Sequence, residues 1–138
     1  MQILFVAGFS VITSEPAADR TLFTEALGLP LTPAAEDSAY VYSQEVPGAK
    51  HLGVWPLADA ARSCFGSPTW PDSHPVPQAT LELEVDDVSA AAAELEAAGH
   101  RLVHGARVEP WGQEVARLQA ADGLLVGLTS TPWLREDG

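Results

Sequence analysis

The sequence predicts an α+β fold built as two tandem modules, each a strand, a helix and three further strands (βαβββ). Three observations predict it. The run "ATLELEV" (79–85) alternates apolar and polar residues, as a half-buried strand does. Two segments carry helix-terminal residues around an apolar stripe. And the chain can be laid on itself: "TEALGLPL" (24–31) on "LEAAGHRL" (95–102), and "HLGVWP" (51–56) on "LVGLTS" (125–130). Neither module could cover its own apolar face, so the two should pack as one unit.

In chain order, residues 2–12 read as a strand. "SEPAADRTLFTEALG" reads as a helix with Ser14 as N-cap, Pro16 in the first turn and Gly28 past the end. Its apolar positions Ala18, Leu22, Phe23, Ala26 and Leu27 recur at helical spacing. Short strands follow at 31–34, 38–45 and 49–55, with Glu45–Lys50 as the turn between the last two. "LADAARSCF" (57–65) makes a short helix. "GSPTWPDSHPVP" (66–77) holds four prolines and reads as a connector. The second copy then begins with the 79–85 strand. A helix over "DDVSAAAAELEAAG" is capped by Asp86 or Asp87 and ends at Gly99. Strands near 101–104, 113–119 and 124–130 complete it, with "AADG" (120–123) as a tight turn.

Composition narrows the function classes. The 138 residues carry 19 acidic against seven basic side chains, a net charge of −12. Such a chain repels phosphate backbones and favours cationic partners, which argues against nucleic acid. The apolar start "QILFVAGFSVI" follows no basic residue and is too short to span a bilayer, so no membrane partner and a cytoplasmic location are expected. The single cysteine, Cys64, closes no internal disulfide and reads as a small semi-buried side chain.

The duplicated plan, with "LEVDDVSAAAAELEAAGHRL" opening the second copy and "ADGLLVGL" closing it, resembles the vicinal oxygen chelate superfamily of glyoxalase I, bleomycin- and fosfomycin-resistance proteins and extradiol dioxygenases. The resemblance covers nearly the whole chain and implies one glyoxalase/bleomycin-resistance-like domain over 1–138, with module 1 at 1–65, a connector at 66–77 and module 2 at 78–131. It also implies cup-shaped mixed sheets with the helices outside. Leu81, Leu83 and Val85 then face the helices, and Thr80, Glu82 and Glu84 face the cup. Glu84 is expected as a solvated rim residue. Glu82 lies deeper, where an isolated carboxylate is costly, so it needs a donor nearby or a raised pKa.

Metal-dependent members of that superfamily take one ligand from each of four cup strands. The equivalent positions here fall on Val6 (Phe5 in the shifted register), Gly53, Thr80 and Gly127. Valine and glycine offer no lone pair and threonine is a poor ligand, so no metal is expected, a displaced divalent-metal site being the alternative. Of the four histidines, His74 and His100 read as surface residues and His104 is ambiguous. His51 shares the cup face, where it could pair with Glu82. Gly53 and Gly127 should leave room at the bottom of the cup. Trp55 is an expected aromatic wall, with Trp111 and Trp70 as further candidates and Trp133 read as core or dimer contact.

The ligand-binding set is therefore His51, Gly53, Trp55, Thr80, Glu82, Trp111 and Gly127, for an aromatic or cationic small molecule. The leading expectation is a metal-free, homodimeric binding protein of the bleomycin-resistance type, with antibiotic resistance implied only by the resemblance. The alternative is a lyase, isomerase or dioxygenase with a displaced metal, or one using Glu82 or His51 as general base.

Overall fold

The structure, a computed structural model, describes residues 1–135. Eight strands form one open mixed sheet, not closed into a barrel, in the order β2-β3-β4-β1-β5-β8-β7-β6. Module 1 supplies β1 (Phe5–Thr13), β2 (Thr32–Pro33), β3 (Val41–Ser43) and β4 (Leu52–Pro56). Module 2 supplies β5 (Ala79–Glu84), β6 (Leu102–Val108), β7 (Glu114–Gln119) and β8 (Leu125–Ser130). The halves meet edge to edge: β1 runs antiparallel to β5, with Ser10 opposite Thr80 and Gly8 opposite Glu82. Each of these central strands has a parallel partner from its own half, β4 for β1 and β8 for β5.

Register fixes which side chains share a face. Ser10 and Ile12 pair with Gly53 and Trp55, Thr80 and Glu82 with Leu125 and Gly127, and Gly127 with Arg117. Because side chains alternate across a strand, these residues all point to one side, the inner face. The outer face carries Val54, Leu83, Val85, Ala116 and Leu128. The helix α3 (Val88–Ala97) lies on it, burying Val88, Ala91 and Ala92 against Val85, Ala116 and Leu128. Its N-cap is Asp87, whose side chain accepts from the Ala90 amide at 2.9 Å, one of the two caps expected.

The first helix departs from expectation. An α-helical turn, α1 (Pro16–Arg20), widens into a π-helical turn over Thr21–Ala26. Ser14 is not its cap; Glu15 holds that position with no side-chain cap bond, and the Glu15 amide donates instead to Thr13 Oγ1 at 2.8 Å. Neither turn contains a fully buried residue, and only Phe23 packs against the small cluster of Leu31, Val41 and Val54. The strands predicted at 31–34 and 38–45 shrink to two and three residues, and β6 runs to Val108 rather than ending at 104.

The helix α2 (Leu57–Phe65), ended by Gly66 in the left-handed conformation (φ 77°), is not outside at all. Ala60, Ala61 and Cys64 pack on Ile12, Trp55 and Leu125, all of them inner-face residues. Trp70 of the connector joins this cluster, with its indole N–H donating to the Pro75 carbonyl at 2.9 Å, so it is core and not a pocket wall. One end of the inner face is thus filled by α2 and the connector. The other end stays open. Last comes α4 (Pro132–Arg135), a single turn following β8. Among the described residues no helix is long and apolar enough to cross a membrane.

Candidate functional site

The open part of the inner face is a cavity of about 730 Å³, walled by both modules of one chain. Module 1 contributes an aromatic side. Tyr40, just before β3, and Tyr42 within it stack with ring centroids 5.5 Å apart, and Tyr42 stacks on His51 at 4.9 Å. Trp55 of β4 tilts against Tyr40 at 6.3 Å. Trp111, more than half exposed, and Trp133 of α4 complete the aromatic lining. Trp133 therefore belongs to the cavity wall as well as to the surface, not to the core.

Module 2 contributes a polar side, centred on Arg117 of β7, which is 1% exposed. Its Nη1 donates to Glu109 Oε1 at 2.9 Å and to His104 Nε2 at 3.1 Å. The assignment of His104 follows: Nδ1 lies 2.7 Å from the Gly105 carbonyl, so it carries the proton and Nε2 accepts. Burial holds His104 neutral, with its pKa lowered to about 4. The face of the Trp55 ring lies 5.6 Å from the guanidinium carbon, so aromatic and charged sides touch there.

Glu82 sits between the two sides. Its Oε2 accepts from Gln113 Nε2 at 3.1 Å and lies 4.0 Å from Arg117 Nη2. Gln113 is itself held in place, donating to Thr129 Oγ1 at 2.8 Å and accepting the Trp111 indole N–H at 2.8 Å. The donor that Glu82 was expected to need is thus Gln113. His51 does not pair with it. Instead His51 Nε2 and Tyr40 Oη are 2.6 Å apart. Burial lowers the His51 pKa to about 4; burial first, and then the Glu82 charge, push the Tyr40 phenol far above its usual value. Both groups are neutral near pH 7, and on that basis we assign the phenol as donor to the imidazole.

The two glycines do not leave the expected room. A Cβ at Gly53 would stand 3.0 Å from Ser10 Oγ, Tyr40 Cε1 and the Val41 carbonyl. At Gly127 it would meet Val115 Cγ2 at 3.3 Å and Glu82 at 3.4 Å. The space is already taken by Tyr40 and Glu82, and both glycines lie beneath those side chains. Val6 is also misplaced by the sequence reading: a bulge follows it, it pairs with Leu83, and it is 55% exposed. The β1 residue opposite Thr80 is Ser10. Ser10, Gly53, Thr80 and Gly127, which share the inner face, offer two hydroxyls and no imidazole or carboxylate, a set that does not fit a divalent ion. Among the described residues no three His, Cys, Asp or Glu side chains gather where they could share one.

Glu84 is not a rim residue. It is fully buried and accepts from the Thr131 amide (2.8 Å), Thr131 Oγ1 (2.5 Å) and Arg135 Nε (2.7 Å). This carboxylate ties the segment that carries Trp133 and Leu134 to the sheet. His100 is exposed, as expected, while His74 is half-buried against the Phe65 ring. Sequence reasoning missed Arg117, Tyr40, Glu109 and Gln113.

Solved structures share this architecture. A glyoxalase/bleomycin resistance protein/dioxygenase superfamily member from Vibrio splendidus matches 89% of this chain and 96% of its own at 14% identity, with a TM-score of 0.61. Methylmalonyl-CoA epimerase from Mycobacterium tuberculosis matches 97% and 93% at 16% identity, TM-score 0.59. A Streptomyces coelicolor methylmalonyl-CoA epimerase variant, in complex with 2-nitronate-propionyl-CoA, matches 95% and 96% at 18% identity, TM-score 0.57. No protein-family model matches the chain, and no curated protein matches it by sequence.

Proposed function

We propose that this chain, which has the vicinal oxygen chelate fold, is a metal-free small-molecule-binding protein of the bleomycin-resistance type, holding an aromatic or cationic ligand. The observation that carries the reading is the cavity itself. Tyr40, Tyr42, His51, Trp55, Trp111 and Trp133 line it together with Glu82, whose Oε1 makes no hydrogen bond among the described residues; the other carboxylates of the wall, Asp59 and Glu109, are paired with Arg62 and Arg117. Aromatic faces bind planar or cationic groups by stacking, and a carboxylate beside them accepts a donor or pairs a charge. A coenzyme A ester of the kind bound by the Streptomyces epimerase suits this cavity less. Its phosphates need free cations, yet Arg62 at the wall is paired with Asp59 at 3.0 Å and the charge of Arg117 is already met by Glu109 at 2.9 Å.

One observation favours a second reading, a metal-free enzyme. The free Oε1 of Glu82 is placed to take a proton from a ligand, and the Tyr40–His51 pair is a neutral acid–base couple on the same cavity. The experiment has two parts. Metal content per chain is measured by inductively coupled plasma mass spectrometry, before and after dialysis against Zn, Ni, Mn and Fe; stoichiometric metal overturns both readings. Glu82→Gln is then compared with the parent on any ligand found by screening. Weakened binding with no turnover in either protein supports the binder, and turnover lost with affinity kept supports the enzyme.

The homodimer belongs to the same proposal. Phe9, on the outer face of β1 opposite Leu81, is 40% exposed, and Ile3 and Leu4, which precede the same strand, are similarly open. A second copy would cover this apolar strip.

A further inference from the structure

The guanidinium of Arg117 is used on one edge only. Nη1 serves Glu109 and His104. Nε is buried and has no partner, and Nη2 makes no hydrogen bond among the described residues, with Glu82 Oε2 4.0 Å away. Nε is closed off from the cavity, so Nη2–H is the donor of this guanidinium left to an incoming acceptor. A second unpaired group, Thr80 Oγ1, is buried in the same wall, two residues before Glu82 on β5. Those two groups are sealed from the cavity, whereas an unpaired donor that faces it rewards whatever pairs it.

The neighbour of Nη2 is an acceptor, not another donor. Gly127 lies between Glu82 and Arg117 in the strand register, and its missing side chain lets the two reach over it toward each other. A ligand seated here therefore meets one donor, Nη2 of Arg117, and, beside it, the unpaired Oε1 of Glu82. A carboxylate would satisfy Arg117 but would be repelled by Glu82, and a cation the reverse. A neutral group carrying an acceptor and a donor side by side satisfies both.

Resting on the binder reading, we propose that Nη2 of Arg117 and Oε1 of Glu82 form a donor–acceptor subsite for the cis-amide edge of a planar ligand. The class is a lactam or similar ring with adjacent C=O and N–H. The ring face stacks on the aromatic side of the cavity, and the edge points into the polar side.

Isothermal titration calorimetry on the full chain tests this with three probes of nearly equal shape: 2-quinolinone, N-methyl-2-quinolinone and naphthalene. The expected order is 2-quinolinone first, with the N-methyl compound about tenfold weaker because Glu82 loses its donor, and naphthalene weaker again. Glu82→Ala should remove the gap between the first two. Equal affinity for all three probes overturns the donor–acceptor edge and leaves the aromatic binder standing. A gap that persists in Glu82→Ala overturns the part assigned to Glu82. Binding of none of the three up to their solubility overturns both the edge and the aromatic binder.

Discussion

Glu84 and Arg135 stand 51 positions apart in sequence, yet Arg135 Nε donates to Glu84 Oε2 at 2.7 Å and Arg135 Nη2 to the Val85 carbonyl at 2.7 Å. With Thr131 donating twice to the same carboxylate, the segment 131–135 is pinned across β5 and β8. Removing the carboxylate leaves a buried amide and hydroxyl without acceptors. Glu84→Ala should cost about 3 kcal/mol in urea denaturation, and the Trp133 emission should shift to the red as the segment loosens.

Gly53→Ala should destabilise by about 1–3 kcal/mol, because the added carbon meets Ser10, Tyr40 and the Val41 carbonyl at 3.0 Å and the backbone oxygen has little freedom to move. Gly105→Ala, with nothing within 4 Å of the new atom, is the control and should stay within about 0.5 kcal/mol. Thermal denaturation of the two variants side by side makes the comparison.

Two tryptophans of the same cavity should behave differently. Trp55 is 8% exposed and part of the α2 cluster, so Trp55→Ala should cost about 3–5 kcal/mol of stability. Trp111 is 53% exposed, so Trp111→Ala should leave stability within about 0.5 kcal/mol while weakening a planar ligand about tenfold. Denaturation and calorimetry on both variants separate packing from binding.

Acid should weaken the fold in a defined window. His51 and His104 are held neutral with pKa values lowered to about 4, against 6.5 in an open chain. Between those values the unfolded chain binds protons that the folded one refuses. Stability is therefore full above about pH 6.5 and falls as pH drops toward 4. For His51 the loss approaches about 3 kcal/mol; His104, better reached by water, contributes less. Chemical denaturation at pH 7, 6, 5 and 4 should show the decline, and His51→Gln should reduce its slope.

Sedimentation velocity tests the apolar strip on β1. The parent chain should run as a dimer and Phe9→Glu as a monomer, since a charge placed opposite Leu81 is costly to bury. Ligand affinity should be unchanged, because Phe9 faces away from the cavity.

Local patterns carried much of the fold. The alternation of "ATLELEV" put Thr80 and Glu82 on one shared face, which the resemblance made the inner one, and the Asp87 cap and Gly123 turn (φ 102°) are where their residue types put them. What stayed illegible depends on register and distance. Arg117 reads as an ordinary polar residue in "ARLQA" until β7 is aligned with β8, which sets it opposite Gly127 and within reach of Glu82. Glu84 looked solvated because its partners lie beyond the last strand, 47 and 51 positions away. The apolar stripe of α2 states that one face is buried but not on which side of the sheet. Gly53 and Gly127 read as space only if their neighbours are small; Tyr40 and Glu82 are not.

The β1–β5 seam has a consequence for how the molecule can be taken apart. Tyr40, Tyr42, His51 and Trp55 of the cavity lie in one half and Glu82, Arg117, Trp111 and Trp133 in the other, joined by the β1–β5 ladder. A chain cut in the proline-rich connector would yield two fragments that each lack a binding site and each expose an unpaired central strand. Mixed together, they would regain ligand binding only when that ladder zips, so the split molecule would act as a sensor in which association and recognition are a single event.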